Sequence, residues 1–189
     1  MSTILTDPTA RIARRLILER EARGWSQADL AARAGVSKAM ISRIERGESS
    51  PTAALLGRLS GALELTMATL LARAETGGAR LAREADQPLW QDPETGYLRR
   101  QIHARAGDPM ELVNVTLPAG ARVAYPASSY AFIRQHVVWL MEGELIIEEH
   151  GAPQTLHPGD ALTFGEPGEV VYFNPGPGPA RYLVALCAR

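Results

Sequence analysis

Apolar residues recur at helical spacing through the first 72 residues. From Trp90 onward they fall into short alternating or β-rich runs. In the first part, Ile12 and Leu16 mark the inner face of a helix that starts at Pro8 and Thr9 and runs to about Arg23, with Arg11, Arg14 and Arg15 outside. Leu30 and Ala31 give a second, shorter helix a small buried face, and Met40, Ile41 and Ile44 do the same for a third. Leu55, Leu56, Leu59 and Leu63 predict a fourth helix over 52–63. Met67, Leu70 and Leu71 predict a fifth, capped by Thr66. Trp25 is placed to cover the corner between the first two helices.

In the second part the apolar runs are separated by Gly and Pro signals: GYLRRQIHA, MELVNVTL, RVAYP, QHVVWLM, ELIIEEHG, ALTF, VVYFNPGPG and ARYLVAL. About eight short strands with tight turns predict an antiparallel sandwich or barrel. VVWLMEGELIIEEHG reads as a hairpin about Glu142–Gly143. Between the parts, ETGGARLAREADQP sets the boundary at about residues 74–80, with Gly77 and Gly78 as a hinge or a turn into a first strand around 80–83. The expected domains are 9–74, a linker and entry to the barrel over 75–90, and 91–189.

Residues 26–51 carry the chemistry of the first part. Ser26 can accept from an orphan N–H at a helix start, with Asp29 three residues on as an Asp version of the capping box. Gly35 supplies the positive φ that stops the helix, Val36 plugs the angle, and Ser37 caps the next helix. With Met40, Ile41 and Ile44 inward, Lys38, Ala39, Ser42 and Arg43 are left outside. Two short helices joined by a Gly-containing turn are the helix-turn-helix pattern. Arg and Lys reach guanine acceptors or phosphates, Ser donates to phosphates or base edges, and an Ala methyl touches thymine methyls. An ordinary helical hairpin with a solvated polar face has the same spacing.

ARGWSQADLAARAGVS, ISRIERGESSPT and LLGRLSGALEL resemble the lambda-repressor or xenobiotic-response-element (XRE) family of five-helix DNA-binding domains over residues 9–72. The resemblance implies that Gln27 bonds a phosphate and that Ser37, Lys38, Ala39, Ser42 and Arg43 occupy base- and phosphate-contacting positions. It also implies that Arg20 and Glu45 form a buried ion pair, which makes Arg20 structural.

Charge fits a DNA-binding head on a different partner domain. The chain carries 20 Lys+Arg and 21 Asp+Glu, net −1; residues 1–75 hold 11 against 8, net +3, and the remaining 9 against 13 give −4. The single Cys187 excludes an intrachain disulfide. No apolar run reaches membrane-span length and the N-terminus does not read as a secretory signal, so a cytoplasmic protein is expected.

WLMEGELII, LHPGDALTF and YFNPG resemble the cupin family of double-sheet jelly rolls over residues 110–187. The two resemblances together imply a multidomain α + β chain: a five-helix lambda-repressor-like DNA-binding domain followed by an all-β cupin barrel, the architecture of a kind of bacterial transcriptional regulator. Catalytic cupins hold a divalent metal with His-x-His, Glu and His. Here the Glu position falls on His136, the His-x-His stretch reads SSYAF, and Val170 stands in the last place. No metal, no cofactor and no enzymatic activity are therefore expected. In the cupin register Val170, Tyr172 and Asn174 point inward, and His136 does so with Arg134 and Val138 on the same parity. With Tyr130 nearby, the candidate ligand residues are Tyr130, Arg134, His136 and Tyr172, suited to a small carboxylate-bearing effector; Tyr125, Arg99 and Trp139 are further neighbours. The same residues also fit an ordinary packed core. The expected function is a homodimeric regulator, a repressor by preference, that binds a double-stranded DNA operator and responds to a small molecule. A cupin enzyme with a DNA-targeting head, and a dimerising DNA-binding module without an effector, are the alternatives.

Overall fold

A computed structural model describes residues 8–72, 80–104 and 108–188. Five helices come first: α1 (Pro8–Ala22), α2 (Gln27–Ala34), α3 (Lys38–Glu45), α4 (Ala53–Ala62) and α5 (Met67–Ala72). Their ends follow from side-chain chemistry. Ser26 and Asp29 form a reciprocal capping box at α2, Ser37 accepts from Met40 N at α3, and Thr52 accepts from Leu55 N at α4. Gly35 adopts φ 64° and closes α2 in the left-handed conformation. The core of this head is Ile12, Leu16, Leu30, Ile41, Ile44, Leu56, Leu59, Leu63 and Leu70, all buried, as the helical periodicity predicts. Trp25 packs against it, with the Arg33 guanidinium 4.2 Å from its ring centroid.

Ten strands follow: β1 (Leu89–Gln91), β2 (Leu98–His103), β3 (Met110–Leu117), β4 (Arg122–Tyr125), β5 (Ile133–Glu142), β6 (Leu145–Glu149), β7 (Ala152–Leu156), β8 (Ala161–Thr163), β9 (Val170–Phe173) and β10 (Ala180–Ala188). They form two antiparallel sheets, ordered β1-β2-β3-β10-β5-β8 and β4-β9-β6-β7. Alternation puts Val113, Val115 and Leu117 of β3, Tyr182, Val184 and Leu186 of β10, Val138 and Leu140 of β5, and Leu145 and Ile147 of β6 in a shared interior. This is the expected jelly roll. No described helix is long and apolar enough to cross a membrane.

Three details differ from the sequence reading. First, Glu142–Gly143 is not a hairpin. β5 and β6 belong to different sheets, and the chain crosses between them at Gly143, whose φ of 84° and approach to the Pro179 carbonyl (2.7 Å from where a Cβ would stand) leave no room for a side chain. The hairpin lies one strand later, between β6 and β7, through His150 and Gly151, both at positive φ. Second, residues 80–83 form no strand; a single 3-10 turn at Glu84–Asp86 precedes β1. The expected boundary and Gly77 and Gly78 fall on or beside residues outside those described. Third, β1 and β7 escaped notice: β1 is three residues long, and β7 is a polar edge strand whose Pro153 needs no ladder donor.

The head docks on the barrel through α4 and α5. A Cβ on Gly57 would stand 2.6 Å from Tyr125 Cδ1, and one on Gly61 would stand 2.5 Å from the Ser128 carbonyl oxygen. The two glycines, one turn apart, let α4 lie directly on the barrel wall at Tyr125–Tyr130. Two barrel carboxylates secure the contact. Asp92 Oδ1 accepts from Ala53 N in the first turn of α4 at 2.9 Å, and its Oδ2 accepts from Thr95 N and Oγ1. Buried Glu111 accepts from Thr66 Oγ1 at 2.6 Å and from the Thr69 hydroxyl, at the start of α5. Both carboxylates sit where the helix dipole favours negative charge. Asp92→Ala is expected to destabilise the folded chain by about 1.5–3 kcal/mol, since it strips a charged acceptor from a buried helix N–H. Denaturant titration of wild type and variant measures it.

Candidate functional site

On α3, Lys38, Ala39 and Arg43 are exposed side by side, and Ser42 is half-buried beside them. Ser37 caps the helix with its oxygen, so its O–H stays available as a donor. Ser42 is in the same position, because its hydroxyl oxygen accepts from Arg46, an exposed cation at the helix end that the sequence reading did not single out. Behind this face, Arg20 donates to both Glu45 oxygens, Nε at 2.7 Å and Nη2 at 3.1 Å, and to the Trp25 carbonyl at 2.8 Å. The Glu45 hydrogen bond holds Arg20's pKa above its ordinary value against the opposing effect of burial. The pair thus ties α1, the following turn and α3 together. Gln27 donates to Glu45 Oε2 at 2.8 Å. Its carboxamide is held against that pair, which leaves its second N–H and its oxygen for any outside partner.

The second site is a cavity between the barrel interior and the head. Its free volume is about 40 Å³, and Tyr130, His136 and Tyr172 are in its wall. Tyr172 Oη lies 3.3 Å from His136 Nε2. The His136 ring stacks on Phe164 at 3.9 Å between centroids and on Tyr130 at 5.0 Å. Burial, and then the charge of Arg99, push the His136 pKa down to about 3, so the ring is neutral near pH 7. Burial also pushes the phenols of Tyr125, Tyr172 and Tyr182 well above their ordinary range, so all three keep their O–H.

Arg134 is the exception among the predicted cavity residues. Strand β5 bulges there: β10 pairs Leu186 with His136 and Cys187 with Gln135, but Ala188 with Ile133. The skipped position breaks the parity, so Ile133 and His136 are both buried while Arg134 is exposed on the rim of a separate shallow depression. The inward cation is Arg99 instead, only 7% exposed. It comes from β2, where Arg99 and Gln101, following Tyr97 just before the strand, alternate on the buried face. Among the described residues its one hydrogen bond is from Nη1 to Tyr97 Oη at 3.3 Å, and no carboxylate is within ion-pair distance. Burial opposes its charge, but Tyr97, Tyr125 and Glu111 together leave its pKa above the ordinary value. Two further hydroxyls of the cavity wall, Tyr125 Oη and Ser129 Oγ, are buried without a hydrogen-bond partner. An unpartnered buried hydroxyl costs about 1–3 kcal/mol, so these donors are set for something not supplied by the chain.

The other two neighbours named from sequence divide. Tyr125 lines the cavity, whereas Trp139 is 44% exposed on the opposite face of β5, its Nε1 donating to the Gly159 carbonyl at 3.2 Å. Asn174 is inward but structural. Its Nδ2 donates to the carbonyls of Leu117, Pro118 and Gly178, and its Oδ1 accepts from Gly176 N, which pins the Pro-Gly loop. A cupin-type divalent metal does not fit these residues. The corresponding positions hold His136, the 128–132 stretch and Val170, a guanidinium lines the same cavity, and no cluster of three or more His, Cys, Asp or Glu exists among the described residues.

Residues 16–70 match the HTH_3 helix-turn-helix family model. The HTH-type transcriptional regulator SutR of Escherichia coli (strain K12) is 29% identical over 160 residues, covering 83% of each chain. The crystal structure of an HTH_3 family transcriptional regulator from Vibrio cholerae has a TM-score of 0.79 at 22% identity, over 96% of this chain and 97% of that one. The Cupin_2 domain of an XRE family transcriptional regulator from Enterobacter cloacae covers 49% of this chain and 97% of its own, with a TM-score of 0.45 and 17% identity.

Two outcomes follow from the geometry. Glu45→Ala is expected to destabilise the head by about 3–5 kcal/mol, because it strands the Arg20 charge, while Arg43→Ala leaves stability within about 0.5 kcal/mol and weakens DNA binding. Thermal unfolding of both variants, with binding to DNA selected by the wild type, separates the two roles; equal thermal shifts would contradict it. His136 sets a pH dependence. Its folded pKa is depressed, so below about pH 6.5 the unfolded chain takes up a proton that the folded chain refuses, and stability falls with pH at up to about 1.4 kcal/mol per unit. Wild type is expected to lose about 2 kcal/mol more than His136→Phe between pH 7.5 and pH 5, read by chemical denaturation.

Proposed function

From an HTH_3 (XRE-type) helix-turn-helix head joined to a cupin-like jelly roll, the architecture of a transcriptional regulator, we propose that this chain binds operator DNA through Ser37, Lys38, Ala39, Ser42 and Arg43, and that its barrel cavity takes a small organic acid as effector. Gln27 contributes a phosphate contact through the carboxamide groups left free by Glu45. The proposed division is a helix-turn-helix head over 9–74, a linker and entry to the barrel over 75–90, and a cupin domain over 91–189. The working unit is a homodimer whose recognition helices sit about 34 Å apart, one turn of DNA. The exposed apolar side chains Met110 and Trp139 on the six-stranded sheet support pairing through the barrel. Repression is the preferred direction. The barrel senses rather than catalyses, a reading supported by the residues that stand in the metal-ligand positions.

The observation that carries the effector is Arg99, a buried guanidinium with no carboxylate at ion-pair distance among the described residues. Tyr130, His136 and Tyr172 shape the cavity around it, and all are neutral near pH 7, so Arg99 is the charge a ligand would meet. A carboxylate fits its fork in bidentate fashion, and the Tyr125 and Ser129 hydroxyls add donors. Arg134, exposed beyond the bulge, takes no part.

Native mass spectrometry of protein purified without added ligand, repeated under denaturing conditions, tests the assignment. An organic acid released at about one per subunit is expected, with Arg99→Gln folded but emptied, since losing the partner of a buried charge costs about 2–5 kcal/mol, at least ~30-fold in affinity. A ligand without an acidic group, or one retained undiminished by Arg99→Gln, would sink it.

A further inference from the structure

The cavity is not walled by the barrel alone. Gly57 and Ser60 of α4 and Met67 of α5 line it together with Arg99, Tyr125 and Ser129. The unpartnered Ser129 hydroxyl and the ring of Tyr125 lie at this seam: a Cβ on Gly57 would stand 2.6 Å from Tyr125 Cδ1 and 3.0 Å from Ser129 Oγ. One of the two donors that lack a partner, Ser129 Oγ, is therefore against the head, and the other is carried by a ring whose near edge packs on it. The Gly57 and Gly61 contacts also leave no slack between α4 and the barrel wall, so a molecule entering here is in contact with both or displaces one.

We infer that the DNA-binding head is one wall of the effector site: an organic carboxylate held by Arg99 and by the Tyr125 and Ser129 hydroxyls also contacts α4 and α5, so that effector binding and docking of the head on the barrel are a single equilibrium. The inference rests on the reading of the cavity given above. Among the described residues no Asp or Glu lines the cavity, so a cationic ligand meets no counter-charge there, whereas Ile133, Val184, Leu186 and the tyrosine rings give an apolar or aromatic body a surface to cover. The ligand class is a monocarboxylate with a compact apolar body. Coupling to DNA then needs no separate relay. Whatever the ligand does to the fit of α4 and α5 changes how the head is held, and by linkage DNA binding changes ligand affinity by the same factor.

The test uses the full chain. Acetate, butyrate, hexanoate, benzoate, phenylacetate and the common amino acids are titrated calorimetrically into wild type, Met67→Ala and Gly61→Ala, with Arg99→Gln as the control for the anion site. Gly61→Ala gains helix propensity yet drives a β-carbon into the Ser128 carbonyl, which lifts α4 from the barrel. Met67→Ala removes a head contact without touching the seam glycines and serves if Gly61→Ala fails to fold. The expected result is that a carboxylate binds wild type, that both head variants bind it at least about tenfold more weakly, and that ligand slows amide hydrogen exchange in α4 and α5. Wild-type affinity in the head variants, with exchange in α4 and α5 indifferent to ligand, would overturn the inference and leave the cavity reading standing. Failure of every carboxylate to bind wild type would overturn the cavity reading and this inference with it.

Discussion

The contact of α4 with the barrel wall constrains nearly everything else in this molecule. It is a contact with no spare room: at Gly57 and Gly61 even a methyl group would collide, at one with a tyrosine ring and at the other with a backbone carbonyl. Small residues cost helix stability, since each glycine disfavours the helix by about 1 kcal/mol relative to alanine. That cost is offset by close approach and by capping from the other domain. Asp92 and Glu111 are barrel residues, yet each accepts hydrogen bonds at the start of a head helix. Neither α4 nor α5 has a complete set of partners without the barrel.

The arginines show how placement decides the role of one side-chain type. Arg20 is nearly enclosed and fully engaged by Glu45 and the Trp25 carbonyl, so it holds helices together. Arg43 is exposed on α3 and free to meet a phosphate or a base edge. Arg99 is buried yet among the described residues makes a single hydrogen bond, to a phenol. Burial of a cation is costly unless it is paired. The first charge stabilises the fold, the second is spread on a solvated face, and the third is the one whose environment is incomplete.

Much of this was legible in the sequence where short-range rules govern. Ser26, Asp29, Gly35 and Ser37 act through neighbours three or four residues away, so the helix-turn-helix could be drawn residue by residue, and the Arg20–Glu45 pair followed from the XRE resemblance. Tyr130, His136 and Tyr172 likewise meet in one cavity as the cupin register implied. What was not legible depends on long-range placement. Gly143 has the composition of a hairpin turn, but it passes the chain from one sheet to the other, which only the strand order reveals. One bulged residue in β5 turned Arg134 outward, because a shift by one residue moves a side chain to the other face. Arg99 did leave a signal, polar residues at period two on what must be a buried face, but its parity is fixed only by the pairing with Val115 of β3.

The seam also gives the cavity a physical route to the DNA-reading face. Arg58, on the outer side of α4, donates to the Gly35 carbonyl at 3.4 Å, at the turn that sets the angle between α2 and α3. Thus α4 faces the cavity on one side and the turn of the helix-turn-helix on the other. Spatial continuity of this kind does not by itself amount to coupling; the two ends must favour different positions of the same element. The candidate for such an element is α4: its docking on the barrel is tight, polar at its start and adjacent to the unpartnered Ser129 hydroxyl, so the proposed effector would meet the same contacts that hold the helix in place.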